Sequence, residues 1–464
     1  MQQKGGKRMK KKILSTILAV TMVVTMLAGC GSTAAPTEDA PATEEAAPAE
    51  EAAPAEDEPA AEEATGEDVT IKLFSNLPDR KNGQGLVEQL IIDDYMAENP
   101  NVTIEVEALD EEAYKTKFKA YAMEGMPDLV SIWGQPSFLD EVLDAGVLAE
   151  LNKSDYDDYG FFEGSLDGFS KDGKLFGLPR NSDIMGIYYN EKMFQDNGWE
   201  IPTSYEELLV LGETIQAAGI IPMAMDGGDG WPLAIWYSDM LMKLTGSYSE
   251  LALQSIADAS FTDPVFTEAA EELAKASARG LWQNGYDSQD YGTAMNLFTN
   301  GQAAMFYMGS WEASMAINED IPEEIRDNIR VFTMPVLDGG KGGATDILAW
   351  NGGGYGVSET SAVKEEAIKL LNYIYLPEKL SKYGWENGVG MSAQDQTAFM
   401  TGNETVLQEQ FLEILSGSSA ISGTTINDLG TANFKTVMES EIQGMSNGTT
   451  SPADFLALLD ASLK

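Results

Sequence analysis

Between Val69 and Gly146 the chain alternates short strand-like runs with amphipathic helical ones, and this alternation restricts the possible folds most. Val69-Thr70-Ile71-Lys72-Leu73-Phe74 alternates apolar and polar residues as a half-buried strand does. Leu86, Leu90, Ile91 and Tyr95 then recur at helical spacing until Asn99-Pro100 ends the run. Val102 to Val106 reads as a second strand and Glu111 to Met123 as a second helix, closed by Gly125 and Pro127. Leu129 to Trp133 is a third strand, with a helix through Leu139 and Leu143 to Gly146. Strands that alternate with helices imply crossover connections, hence an α/β fold with mixed, mostly parallel sheets. Further on the chain is richer in helix. Thr203 or Ser204 caps a helix to Ala217, with Glu206 and Glu207 in its first turn. Asp263 caps another, with Pro264 at its first position and Gly280 as its stop. Lys364 to Tyr375 and Ser451 to Ser462 are two more, and no internal repeat is present.

The residues that are missing narrow the chemistry. Among 464 residues there is no histidine. That excludes Ser-His-Asp and Cys-His catalysis, His-ligated zinc and the usual proton shuttle near pH 7. One cysteine, Cys30, leaves no intramolecular disulfide, and a chain this long needs none to bury a core. Acids outnumber bases 75 to 29. Such a field repels nucleic acid and anionic lipid and tolerates neutral or cationic ligands.

The first 67 residues read as something other than fold. Six basic residues from Lys4 to Lys12 precede an apolar run, Ile13 to Ala28, too short for the roughly 20 residues of a membrane span. Leu27-Ala28-Gly29-Cys30 follows, and this order resembles a bacterial lipoprotein signal, with residues 1–29 removed and Cys30 carrying the lipid. An ordinary secretory signal would end in an A-x-A-like site, and Leu27-Ala28-Gly29-Cys30 is not one. Residues 30–67 then hold Pro36, Pro41, Pro48, Pro54 and Pro59 among Ala, Thr and twelve acids. That composition cannot bury a core and reads as a disordered tether with a reach of roughly 30–35 Å.

Several local motifs fail on inspection. Gly444-Met445-Ser446-Asn447-Gly448 matches G-x-S-x-G, but no histidine can serve it and no strand leads into it, so it reads as a loop between helices. Asp155 to Gly160 begins like an EF-hand loop and fails at Tyr159 and Leu166. Gly352-Gly353-Gly354-Tyr355-Gly356 lacks dinucleotide spacing and reads as a tight turn at a cleft or between lobes. The tryptophans are more informative: Trp133, Trp231, Trp311, Trp350 and Trp385 each adjoin glycine, proline or polar residues. An indole face can stack on the C–H face of a sugar while nearby Asp, Asn and Arg take up hydroxyls.

Ordered segments over about 69–464 resemble the extracellular solute-binding proteins of ABC importers, in the group of maltose- and raffinose-type sugar receptors. They are Met126-Pro127-Asp128-Leu129 and Gly173-Lys174-Leu175-Phe176-Gly177-Leu178-Pro179. Tyr188-Tyr189-Asn190-Glu191-Lys192-Met193-Phe194 follows, with Pro202 to Leu208 after it. Phe298 to Met305 then leads to Gly309-Ser310-Trp311, and Gly353 to Ser358 is the last. The resemblance implies two lobes joined by a hinge, lobe 1 being 68–181 with 335–376 and lobe 2 being 182–334 with 377–464. It implies a ligand clasped between them by hinge closure.

By the same resemblance Trp311 stacks on sugar, and Asp183, flanked by Arg180 and Asn181, is the hinge carboxylate. Asp229 and Trp231 line the second lobe. Asn76, Asp79 and Arg80 follow the first strand, where they bind or merely cap the next helix. Trp133, Trp350, Asn351 and Trp385 are further cleft candidates, and Phe434 approximates an aromatic at the start of a late helix. The expected protein is no enzyme and needs no cofactor or metal. It is a monomer, held outside the membrane by lipid, that delivers a neutral oligosaccharide to the transmembrane subunits of a permease. An exported glycosidase, a sugar receptor for a sensor kinase, or a receptor for a polyol, amino sugar or peptide are the alternatives.

Overall fold

The computed structural model describes residues 67–464. Cys30, the expected leader and nearly all of the expected tether lie outside the described residues.

The chain starts with β1 (Val69–Ser75), α1 (Gly83–Glu98), β2 (Val102–Ala108), α2 (Glu111–Glu124), β3 (Leu129–Trp133) and α3 (Pro136–Asp144). β1 pairs parallel with both β2 and β3, as crossover helices require. Ile71, Leu73 and Phe74 of β1 are buried beneath Ile91 and Ile92 of α1 in one core. Asp110 caps α2 by accepting from the Ala113 amide at 3.1 Å. A small hairpin, β4 (Ser170–Lys171) and β5 (Lys174–Leu175), leads to β6 (Leu178–Pro179).

Two residues later the chain enters a second sheet as β7 (Ser182–Asn190). α4 (Glu191–Asn197), α5 (Tyr205–Ala217), β8 (Ile221–Ala224) and α6 (Trp231–Thr245) follow. β9 (Ala303–Gly309), β10 (Ile329–Phe332) and β11 (Asp346–Asn351) complete that layer, and β12 (Gly353–Val357) returns to the first sheet. The first sheet runs β2-β1-β3-β12-β6; the second runs β13-β11-β7-β9-β8, where β13 is Ala420–Ser422 and β10 also pairs with β7. The protein is therefore two-lobed.

The sheets are mixed, but the expected predominance of parallel pairing is corrected. β12 runs antiparallel to β3 and β6, and β7 runs antiparallel to β9, β10 and β11. A strand that crosses from one lobe and another that comes back must run in opposite senses. The segment 335–376, expected in lobe 1, divides at Gly352: β11 lies in the second sheet and β12 in the first. Leu380 and Val389, expected with lobe 2, pack in the first core. Gly444 to Ser446, expected in a loop, close the Ala432–Ser446 helix.

Gly352 sits at a crossing because nothing larger fits: a Cβ there would fall 1.8 Å from Asp183 Oδ2. The other direct crossing is Arg180-Asn181, and the Ser182 amide donates to the Met391 carbonyl at 2.9 Å, which ties a third segment to the hinge. The second sheet is covered on both faces by separate apolar clusters. Within the larger cluster α6 is buried from Pro232 to Leu244, as a helix apolar on every face must be.

Candidate functional site

Three indoles meet at one end of the second sheet's strands. β9 ends at Gly309 and turns at once into a 3-10 helix, Ser310–Ala316, that presents Trp311. A Cβ at Gly309 would lie 2.0 Å from the Trp311 ring, so the glycine permits the turn-back. Trp231 is the first residue of α6, behind Gly230 at φ +79°, and Trp350 lies in β11 opposite Asp183. Trp311 lies 6.1 Å from Trp231 at 57° and 6.2 Å from Trp350 at 64°. All three rings are half-buried. Tyr291 extends the group, 6.1 Å from Trp231, and accepts from Trp311 Nε1 at 3.2 Å. Its hydroxyl donates to the Glu312 carboxylate, and burial raises that carboxyl above its ordinary range.

The hinge brings three polar residues beside this group. Asp183 is buried, and burial pushes its carboxyl up to about 7, against the Asn181 hydrogen bond and the Arg180 charge that hold it down. Asn181 Nδ2 donates to Asp183 Oδ1. Arg180 Nε donates to Gln84 at 2.9 Å, and its guanidinium stands 5.3 Å from the Tyr355 ring centre. Arg180 Nη1 and Asn181 Oδ1 are buried with no protein partner. Both residues line a cavity of about 30 Å³ together with Glu88 and Trp385.

On the first lobe Trp133 packs edge-on to Tyr114 and Phe138, with Lys115 Nζ 5.7 Å from its ring centre. Asn76 donates its amide to Ser131 Oγ at 3.2 Å, and its Oδ1 is buried without a partner. Other candidates have local tasks. Asp79 accepts from the Lys81 and Asn82 amides, and Arg80 pairs with Glu88 at 3.0 Å. Asn351 is spent on Ser182 and the Ser165 carbonyl, both at 3.0 Å. Asp229 accepts from the Tyr291 amide at 3.3 Å and donates its own amide to Asp226. Burial and the Asp229 charge push the Asp226 carboxyl up to about 9. Trp385 is buried beside the hinge cavity, apart from the indole group, with its Nε1 3.3 Å from Glu404. Phe434, expected to face a ligand, is instead wholly buried and stacked on Phe261 at 5.7 Å, because the start of its helix packs into the second-lobe core.

Sequence reasoning missed the charged group where the lobes meet. Ser137 of α3 donates to Asp428, which Lys435 holds at 2.6 Å; Lys435 also stands 3.5 Å from Glu439. Lys115 lies between Glu111 and Glu112 at 2.6 and 2.9 Å. Ser137 and Asp428 are 291 residues apart, so no local signal could have paired them. Tyr291 and Glu312 were missed too; the only cue was that Glu312 follows Trp311 directly. Among the described residues no three His, Cys, Asp or Glu side chains form a metal-holding group. The EF-hand-like segment starts in a short 3-10 helix, Lys153–Tyr156, with Tyr156 buried.

Two lobes, a hinge of adjacent crossings and aromatic and polar side chains beside it define a solute-binding protein. The sequence profile of the bacterial extracellular solute-binding proteins matches residues 91–390, and the chain belongs to that family. The family places it outside the cytoplasm, and no helix among the described residues is long and apolar enough to cross a membrane. A multiple sugar-binding protein of Streptococcus mutans is 25% identical over 325 residues, 68% of this chain and 73% of that one. A chitin oligosaccharide binding protein superposes with a TM-score of 0.75 at 23% identity, over 86% of this chain and 98% of the other. A structure from work on xylan utilisation by Caldanaerobius polysaccharolyticus gives 0.77 at 23%, over 85% and 100%.

Proposed function

We propose that the protein captures a neutral sugar or oligosaccharide between its lobes and delivers it to the transmembrane subunits of an ABC importer. The observation that carries this is the group of Trp231, Trp311 and Trp350 beside the buried Asp183. Half-buried indoles offer apolar faces to sugar C–H groups, and the hinge residues offer polar atoms that hydroxyls can partner. The sugar-binding relative supports the ligand class, and the acidic field of the chain argues against an anionic ligand. In this scheme no bond is made or broken; closure about the 180–181 and 352 crossings buries the sugar. Cys30 carries the lipid, and the tether behind it keeps the lobes within reach of the permease. Trp311, Trp231, Trp350, Asp183, Arg180 and Asn181 are the central contacts, with Trp133 opposite them.

Calorimetric titration with a panel of neutral oligosaccharides and their uronic-acid counterparts tests this. At least one neutral sugar is expected to bind at one per chain, and its acidic counterpart to bind more weakly. A panel in which only acidic sugars bind would overturn the proposal.

A further inference from the structure

α6 is apolar on every side, yet it carries Asp239 and Lys243 one turn apart, and neither reaches solvent. Buried charges are costly unless they are bonded, so their partners are informative. Lys243 Nζ donates to two backbone carbonyls, Gly343 at 2.9 Å and Asp346 at 2.7 Å. Asp239 Oδ2 accepts from the Tyr307 hydroxyl.

Each partner lies on a segment that ends in an indole. Tyr307 is in β9, four residues before Trp311; Asp346 opens β11, four residues before Trp350. α6 itself begins with Trp231. One turn of polar side chains therefore ties together the three elements that present the three tryptophans. Backbone contacts reinforce it. The Lys341 and Gly342 amides donate to the last carbonyls of α6, Leu244 and Lys243, at 3.0 and 2.9 Å. A Cβ on Gly340 or Gly342 would come within 2.3 or 2.5 Å of those carbonyls or that of Met242, so this loop lies directly on the helix end. Tyr307 also packs edge-on to Trp236 of α6, 4.8 Å between ring centres.

We propose that Asp239 and Lys243 are positioning residues: without touching ligand, they hold Trp231, Trp311 and Trp350 at their mutual angles and so set the affinity of the cleft. Packing alone would be met by Leu or Met at both positions; directional bonds fix the register of three separate segments. The proposal rests on the indoles being the sugar site.

Lys243→Met keeps an unbranched side chain one atom shorter and loses the donors, and Tyr307→Phe loses one hydroxyl. Near-UV circular dichroism without sugar reads the mutual orientation of the indoles, and calorimetry reads affinity, both where far-UV dichroism shows the variant folded. Leu273→Ala, in the same core but off the strut, is the control. Both variants are expected to alter the indole band, and Lys243→Met to weaken sugar binding at least about tenfold. The control should lower the melting temperature and leave band and affinity unchanged. An unaltered band in Tyr307→Phe overturns the proposal, as does a control that shifts affinity equally; Tyr307→Phe alone decides if Lys243→Met does not fold. Sugar binding that survives Trp311→Ala would remove the sugar-site assignment, while the indole band still judges the strut.

Discussion

The side chains at the hinge are held by unusual environments rather than unusual chemistry. Asp183 is a carboxyl whose ordinary value of 3.8 is pushed up to about 7 by burial. A neutral Asp183 therefore favours the folded state, fully below a pH of about 4, and this contribution is lost as the pH rises through about 7. Asp183→Asn is neutral throughout. Its stability relative to the natural protein is expected to rise between about pH 4 and pH 8 in denaturant unfolding. A difference that stays flat across that range would show that Asp183 ionises freely. Single-residue reading worked where the cause was local, as at Trp311, whose turn Gly309 permits. It failed at Phe434, because the residue that buries it, Phe261, lies 173 positions away in sequence.

Elements whose ends carry their own signals were legible. Ser204 caps α5 by accepting from the Glu207 amide at 3.2 Å, while Glu207 accepts from the Ser204 amide at 3.3 Å. Asp263 and Ser451 cap later helices in the same local way. Ser204→Ala is expected to cost about 1 kcal/mol of stability and leave sugar affinity unchanged, read by the denaturant midpoint and by calorimetry. A loss of affinity would mean that α5 sets the cleft. Strand direction was not legible, since Gly352 alone separates β11 from β12 and yet the two lie in different sheets. Nothing in the sequence tells that Asp239 and Lys243 of α6 bind inward.

At the scale of the molecule, the lobes meet through side chains distant in sequence, Ser137 with Asp428 and Asn82 with Asp320 at 3.3 Å. The α/β class was legible from strand–helix order and the two-lobed plan from the family segments; the contacts that close it were not. The proposed anchor, Cys30, precedes the folded residues in sequence. Cys30→Ala is expected to release the protein from membranes or block its processing, checked by fractionation and by mass spectrometry of the N-terminus. A variant that still pelleted as a lipid-modified species would contradict the assignment. The central claim is that a sugar is held against Trp311 between the lobes. Calorimetry of Trp311→Ala against the best-bound oligosaccharide tests it most directly. A loss of at least about tenfold in affinity, or about 1.4 kcal/mol, with the melting temperature preserved is expected. Unchanged affinity in a folded variant would contradict it.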